Sequence, residues 1–277
     1  MPTLYVLLKV CENYRVKISA VIICFNEEQK IAKAIESVRW ADEILVVDSE
    51  STDKTREIAV SLGAKVLIKK WPGFSAQKQF AVENASFEWI FSLDADEIVS
   101  DELHEEILKL KNAPEKLKAD GFRIPRLSFY MNRPIRHGGW YPDWQMRLFN
   151  RRKGKWKDVL IHESFEMETG AKIERLTGDI LHYSWESAAQ HEQMIGERYA
   201  PLAAAQNFQK GKTTSRLKIV TAGFLAFVQS YIIKAGFLDG FAGFCIARFA
   251  AHHAYLKHLL LWEMQEKSKK LKVKSKK

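Results

Sequence analysis

Cysteine is scarce. Cys11, Cys24 and Cys245 are the only three in 277 residues. Far apart and odd in number, they make neither a disulfide framework nor a zinc cage, so a reducing compartment is expected. A signal peptide is also missing from the reading: the apolar run Leu4 to Leu8 is too short for an h-region, and no basic segment precedes it. Ile219 to Ile233 carries no charge, but its fifteen residues fall short of the roughly 20 that a spanning helix needs. No Gly-x-Gly-x-x-Gly follows the first strand-like segment and no Walker loop occurs, which excludes the two glycine cradles that bind phosphates. No nucleic-acid-binding motif accompanies the basic residues, so nucleic acid is not expected as a partner.

What is present reads as a globular chain, 47% apolar and 28% charged, with a formal charge of +9. That charge is concentrated at one end: Lys267 to Lys277 holds seven Lys and no acid. Anionic lipid and phosphorylated substrates suit such a tail, and so does a plain disordered, solubilising end.

Residues 18–97 alternate strand and helix. Strands are read at Ile18 to Cys24, Glu43 to Val47 with Asp48 at the end, Lys65 to Ile68, and Trp89 to Leu93. Helices lie between them: one with Ile31, Ala34, Ile35 and Val38 on a face, one from Lys54 to Leu62 closed by Gly63, and one from Ser75 to Ala85. Asn26 is expected to cap the first helix, with Gln29 answering as in a capping box. This order implies a parallel sheet with helices on both faces, and ligands bind beyond the carboxyl ends of such strands. Asn26, Glu27, Asp48, Asp94 and Asp96 all fall at those ends. Asp94, Asp96 and Glu97 crowd three carboxylates into four positions. They would repel one another unless a positive charge sat among them, and a hard cation such as Mg²⁺ or Mn²⁺ with a phosphate on its far side would serve. The plain alternative is that an Asp caps the next helix.

Three segments resemble glycosyltransferase family 2: Ile22-Ile23-Cys24-Phe25-Asn26-Glu27-Glu28, Val46-Val47-Asp48-Ser49-Glu50-Ser51-Thr52-Asp53-Lys54-Thr55 and Leu93-Asp94-Ala95-Asp96-Glu97. Their order and spacing match over roughly the first half of the chain. The resemblance implies a GT-A type, nucleotide-sugar-binding Rossmann-like sheet and inverting, metal-dependent sugar transfer. Gly139 to Asp143, Arg147-Leu148-Phe149, Ile161-His162-Glu163 and Gly236 to Gly243 are similar to bacterial lipopolysaccharide inner-core β-1,4-glucosyltransferases. By this resemblance Asp48 binds uracil or ribose, Asp94 contacts the ribose, Asp96 ligates the metal on the diphosphate, and Glu27 helps hold the base; Asn26 and Arg147 are further candidates for binding the nucleotide-sugar. Lys54 and Arg56 either add to the neutralisation of the diphosphate or form an ordinary solvated first turn, the reading preferred.

Arg133 to Asp143 is irregular and rich in aromatics, bases and glycine, as functional loops often are. Trp140 and Tyr141 offer faces for a sugar ring, and Arg133, Arg136 and His137 suit an acceptor phosphate. Inverting transfer needs a base for the acceptor hydroxyl. Asp143 is the candidate, preceding Arg147 as the family's catalytic acid precedes a basic residue. Pro142 stands where the family has the first acid of a Glu-Asp pair. Glu163 is the rival base, and a salt bridge to Arg147 is the structural alternative for Asp143. His182, in preference to His162, is the candidate second metal ligand.

From about Ser187 the pattern turns helical. The expected divisions are a catalytic domain at 1–186, an amphipathic helical region at 187–266 and a basic tail at 267–277. The helical region reads either as a subdomain packed on the core or as a helix pair lying in a membrane interface. Two functions stand. One is transfer of glucose from a UDP-sugar to a lipid-linked inner-core acceptor, on the inner face of the cytoplasmic membrane. The other is a non-catalytic nucleotide-sugar or lipid-binding module of the same fold.

Overall fold

The computed structural model describes residues 15–157, 164–185 and 187–274. Their contacts divide them into two compact units. One extends to Arg126 and resumes over Asp143–His182; the other holds Leu127–Pro142 and the chain from Tyr183 onward.

The first unit is built on four parallel strands in the order β3-β2-β1-β4: β1 Ile18–Cys24, β2 Glu43–Asp48, β3 Lys65–Ile68 and β4 Trp89–Asp94. Helices α1 Ile31–Ser37, α2 Thr55–Ser61 and α3 Phe74–Asn84 connect them. All of β1 is buried. Alternate side chains serve two cores, as the period of a strand requires. Ile18, Ala20 and Ile22 pack with Ile31, Ile35 and Phe91, while Val21 and Ile23 pack with Leu45, Ala81 and Ile90. A strand covered on both faces has no polar side to show, hence an apolar run interrupted only by Ser19, whose hydroxyl donates to Glu43.

Gly63 closes α2 in the left-handed region, at φ +84, as expected. Asn26 does not cap α1, whose N-cap is Lys30 with no side-chain bond. Asn26 itself is left-handed, at φ 53, and its Oδ1 accepts from the Thr52 N–H at 2.8 Å. The capping signal belongs to a tie between two loops at the sheet edge.

After β5 Glu97–Val99 comes α4 Asp101–Lys111, capped as expected by Ser100, whose Oγ accepts from Leu103 N. The sheet then departs from the parallel pattern. β6 Gly121–Tyr130 leads through the short β7 Arg133–Pro134 to β8 Asp143–Asn150. β8 lies between β4 and β6 and is antiparallel to both. β9 Gly154–Trp156 and β10 Phe165–Met167 form a separate antiparallel pair. β11 Ile173–Arg175 runs parallel to the start of β6. β12 Ile180–Trp185 pairs with β5, setting His182 opposite Glu97.

The second unit is mostly helix: α5 Ala188–Met194, a π segment Ile195–Tyr199, α6 Ala200–Gln209, α7 Arg216–Phe227, a π segment Val228–Ile233, and α8 Gly240–Lys274. α8 carries the basic tail as helix as far as Lys274, in place of a disordered end. α7 and α8 approach closely at Gly223, where a Cβ would lie 3.2 Å from the Ala251 carbonyl oxygen. Arg216–Ile233 is, among the described residues, the one helical stretch long and apolar enough to cross a membrane.

Tyr130, Ile135, Ala242 and Ile246 form this unit's core, with Trp140 and Phe249 packed against it. His191 sits in the same aromatic surroundings, its ring 4.2 Å from that of Phe249 and 5.6 Å from that of Tyr130. Burial pushes its pKa down to about 4, from an ordinary 6.5. A group depressed in the fold must charge on unfolding, so its stabilisation is complete above pH 6.5 and is lost as pH falls towards 4. Between pH 7.5 and 5, urea denaturation of the wild type is expected to show a loss of about 1–2 kcal/mol from this group. The non-titrating, somewhat larger His191→Phe should lack that increment.

Candidate active site

β2 and β4 flank β1 and end on Asp48 and Asp94, which lie opposite Cys24 and Ile23 of β1. Two strand spacings, roughly 10 Å, separate them. The sheet therefore brings Asn26, Glu27, Asp48, Asp94 and Asp96 to one edge of the first unit, as the strand order implied.

Asp48 is fully buried, and its neighbours occupy both of its oxygens. Oδ1 accepts from Ser51 N at 2.9 Å, and Oδ2 accepts a short bond from Ser51 Oγ. Cys24 Sγ lies 3.5 Å from Oδ2, and burial together with that carboxylate pushes the Cys24 thiol pKa well up. Arg56 is more than a solvated first turn: its Nε stands 3.7 Å from Asp48 Oδ1, and its Nη2 donates to the Ser51 carbonyl. Ser51 and Thr55 receive the backbone N–H groups of Asn26 and Glu27 at 2.8 Å each. Glu27 also lies 3.9 Å from Lys30.

The acid cluster is neutralised largely by the protein's own side chains, a source of positive charge that the sequence reading, which named a hard cation, did not include. Asp94 meets Lys78 Nζ at 2.9 Å and Arg147 Nη2 at 3.1 Å. Burial would raise its pKa, but Lys78 and Arg147 outweigh burial and hold it well below the carboxylate range. Glu97 is wholly buried. Its Oε1 accepts from Arg147 at 2.6 Å and from Arg126 at 3.3 Å, and its Oε2 accepts from the Asp94 N–H at 2.9 Å. Burial would lower the pKa of Arg147, but Glu97 and Asp94 carry it upward.

Asp143 belongs to the same network. It faces Arg126 across the β6–β8 pair, and its Oδ2 accepts from Arg126 Nε and Nη2 at 2.9 and 2.7 Å. Its Oδ1 accepts from Gln145 at 2.7 Å. The ion pair weighed for Asp143 therefore exists, but with Arg126; Arg147, the other candidate for the nucleotide-sugar, is 2% exposed and engaged by Glu97 and Asp94. Lys78, Arg126 and Arg147 together balance Asp94, Glu97 and Asp143.

Asp96 is left to His182, whose Nε2 stands 3.3 Å from its Oδ2. Burial raises the Asp96 pKa and the His182 bond and charge lower it; the net shift is downward. The two side chains are 25% and 16% exposed, so solvent reaches this pair, whereas Glu97 is sealed. His182 is held at the start of β12 by a dense set of bonds to α4. The Glu106 carboxylate accepts from the N–H groups of Thr177 and Gly178 and from the Thr177 hydroxyl. Ser100 and Asp179 exchange two more bonds. A Cβ at Gly178 would fall 2.3 Å from Leu103 N, so only glycine fits there.

The Asp96–His182 pair fits a divalent cation: one carboxylate oxygen and one imidazole nitrogen converge, and both suit Mn²⁺. Among the described residues no group of three or more potential ligands could hold a metal alone. The remaining positions would fall to substrate phosphate and water, as is usual for Mg²⁺.

The four residues read as acceptor-binding all lie in the second unit. The Asp239 carboxylate accepts from the N–H groups of Arg136 and His137 and lies 2.8 Å from His137 Nδ1. The Arg136 guanidinium lies over the Tyr141 ring at 5.4 Å. Trp140 packs partly into that unit's core, which leaves less of its face for a sugar than an exposed loop would. His162 and Glu163 lie outside the described residues.

Sequence reasoning missed Lys78, Arg126 and the part played by Glu97. Lys78 gave no signal, because one lysine on a helix reads as solvated; here it is 4% exposed.

Residues 19–168 match the family model Glycosyl transferase family 2. An uncharacterised glycosyltransferase of Rickettsia bellii (strain RML369-C) is 34% identical over 260 residues, covering 90% of this chain and 87% of its own. The lipopolysaccharide core biosynthesis glycosyltransferase LpsC of Rhizobium meliloti (strain 1021) is 32% identical over 255 residues, covering 87% and 90%. Among solved structures, S. aureus TarS 1-349 in complex with UDP-GlcNAc aligns over 92% of both chains at 15% identity and a TM-score of 0.44, a likeness too loose to bear on function. The family match spans more than half of the sequence, relatives above 30% identity cover about nine-tenths of it, and the chain belongs to glycosyl transferase family 2.

Proposed function

We propose that this chain is an inverting, metal-dependent transferase that moves glucose from UDP-glucose to a lipid-linked sugar of the lipopolysaccharide inner core. It would work as a peripheral protein on the inner face of the cytoplasmic membrane. The observation that carries this reading is the solvent-reached Asp96–His182 pair, beside acids that the protein's own cations have already balanced. The LpsC relative supports the choice of acceptor.

On this reading Asn26, Glu27 and Asp48 frame the nucleoside, and Asp94, fixed by Lys78 and Arg147, meets the ribose. Asp96 and His182 would hold Mg²⁺ or Mn²⁺, which neutralises the diphosphate leaving group without proton transfer. Asp143 takes the proton of the acceptor hydroxyl while that oxygen attacks the anomeric carbon opposite the diphosphate, so the configuration inverts. Arg136, His137, Trp140 and Tyr141 are assigned to the acceptor.

The test is UDP release by purified protein with Mn²⁺ or Mg²⁺, a panel of UDP-sugars and a lipid-extract acceptor. UDP-glucose is expected to lead. Asp143→Asn should cut kcat roughly a hundredfold or more, with the donor KM little changed. No UDP from any donor, or an unimpaired Asp143→Asn, would overturn the proposal.

A further inference from the structure

The second unit has an apolar surface that its own packing does not use. Along α7 and the π segment after it, Ile219 and Ser230 are buried, and Gly223 of α7 lies against α8. The opposite side faces outward: Val220 is 76% exposed, Phe224 70% and Ile233 74%, with Leu217 and Leu225 beside them. The next turn and the start of α8 add Phe237, Leu238 and Phe241, the last 77% exposed. Single exposed apolar residues are ordinary, but a contiguous aromatic and aliphatic face of this kind marks an interaction site.

Charge decides the occupant. From Lys210 to Leu238 the sequence has Lys210, Lys212, Arg216, Lys218 and Lys234 and no Asp or Glu. The first acid after them, Asp239, is turned to His137 and the N–H of Arg136. An apolar face whose own segment carries five cations and no acid, with Glu266 of α8 near Arg216 alone of these, matches acyl chains beneath anionic head groups.

A spanning arrangement does not fit. The 18 residues Arg216–Ile233 rise about 27 Å as helix against a hydrocarbon layer of roughly 30 Å, so they could cross it only with Arg216 and Lys218, at their own start, drawn into the layer. The inner stripe of α7 is also committed to α8, which carries Arg248, His252, Lys257, His258 and Glu263. Insertion would drag those groups into hydrocarbon.

We infer that the outer face of α7, the turn after it and the start of α8 form an in-plane docking surface for an anionic lipid bilayer. This deepens the proposed reading of a lipid-carried acceptor. Vesicle binding needs neither donor nor acceptor, so either proposal can fail alone.

The experiment is co-sedimentation of the full chain with vesicles of phosphatidylcholine and phosphatidylglycerol (7:3), or of phosphatidylcholine alone. The wild type should pellet with the anionic vesicles and partition at least tenfold less into the neutral ones. Phe224→Asp/Phe241→Asp should lower partition at least tenfold, and Arg216→Glu/Lys218→Glu should remove the preference for anionic lipid. Should the aspartate pair fail to fold, the milder Val220→Ser/Ile233→Ser must show the same direction of loss. Wild type left in the supernatant with both vesicles overturns the inference, as do variants that pellet like wild type. A lipid-free dimer that Phe224→Asp/Phe241→Asp converts to monomer, with no vesicle partition, assigns the face to a second copy and also overturns it.

Discussion

Asp96→Asn is expected to lower UDP-glucose turnover at least a thousandfold while leaving the fold intact. Asp96 is the carboxylate of its cluster that meets a histidine, His182 at 3.3 Å, with the charge of Lys30 also acting on it. An amide keeps the shape but loses the charge. A metal's share in stabilising a leaving group is several kcal/mol, and about 4 kcal/mol corresponds to that thousandfold. Removing a charge that solvent already reaches should shift the urea midpoint little. Single-turnover UDP release across a Mn²⁺ titration separates the causes: excess metal should recover part of the rate if Asp96 is a ligand. Undiminished turnover would remove Asp96 from the chemistry.

Arg147→Met should cause the largest loss of stability, about 3–5 kcal/mol, because it strips the closest partner from a buried carboxylate. Glu97 is wholly buried, and Arg147, at 2% exposure, donates to it at 2.6 Å. Arg126 would remain, at 3.3 Å. The double variant Arg147→Met/Glu97→Gln should recover much of the loss, since the penalty lies in the stranded charge more than in the broken pair. Urea denaturation of the four proteins gives the coupling directly. Additive single losses would mean that the two groups act independently.

The parallel half of the sheet was legible because burial on both faces leaves only one reading for Ile18 to Cys24 and for Trp89 to Leu93. The acids after those strands could be placed from strand order alone. β8 was not legible: Asp143 to Asn150 pairs with segments more than fifty and about twenty residues earlier, and nothing local announces those partners. The charge network failed for the same reason. Arg126 and Asp143 meet only because β6 and β8 set them opposite each other, and Lys78 meets Asp94 only because α3 packs on the sheet. Asn26 misled because a short amide that ties two loops carries the same local signal as one that caps a helix.

The staple between α4 and the start of β12 has one more effect. Thr177, Gly178 and Asp179 are fixed to Glu106 and Ser100, and Gly178 has no room to shift against Leu103. His182 follows three residues later, so its approach to Asp96 is settled when the chain folds. An arriving ion would find both side chains preorganised, and the roughly 1–2 kcal/mol of backbone freedom per residue would not have to be surrendered anew in each catalytic cycle.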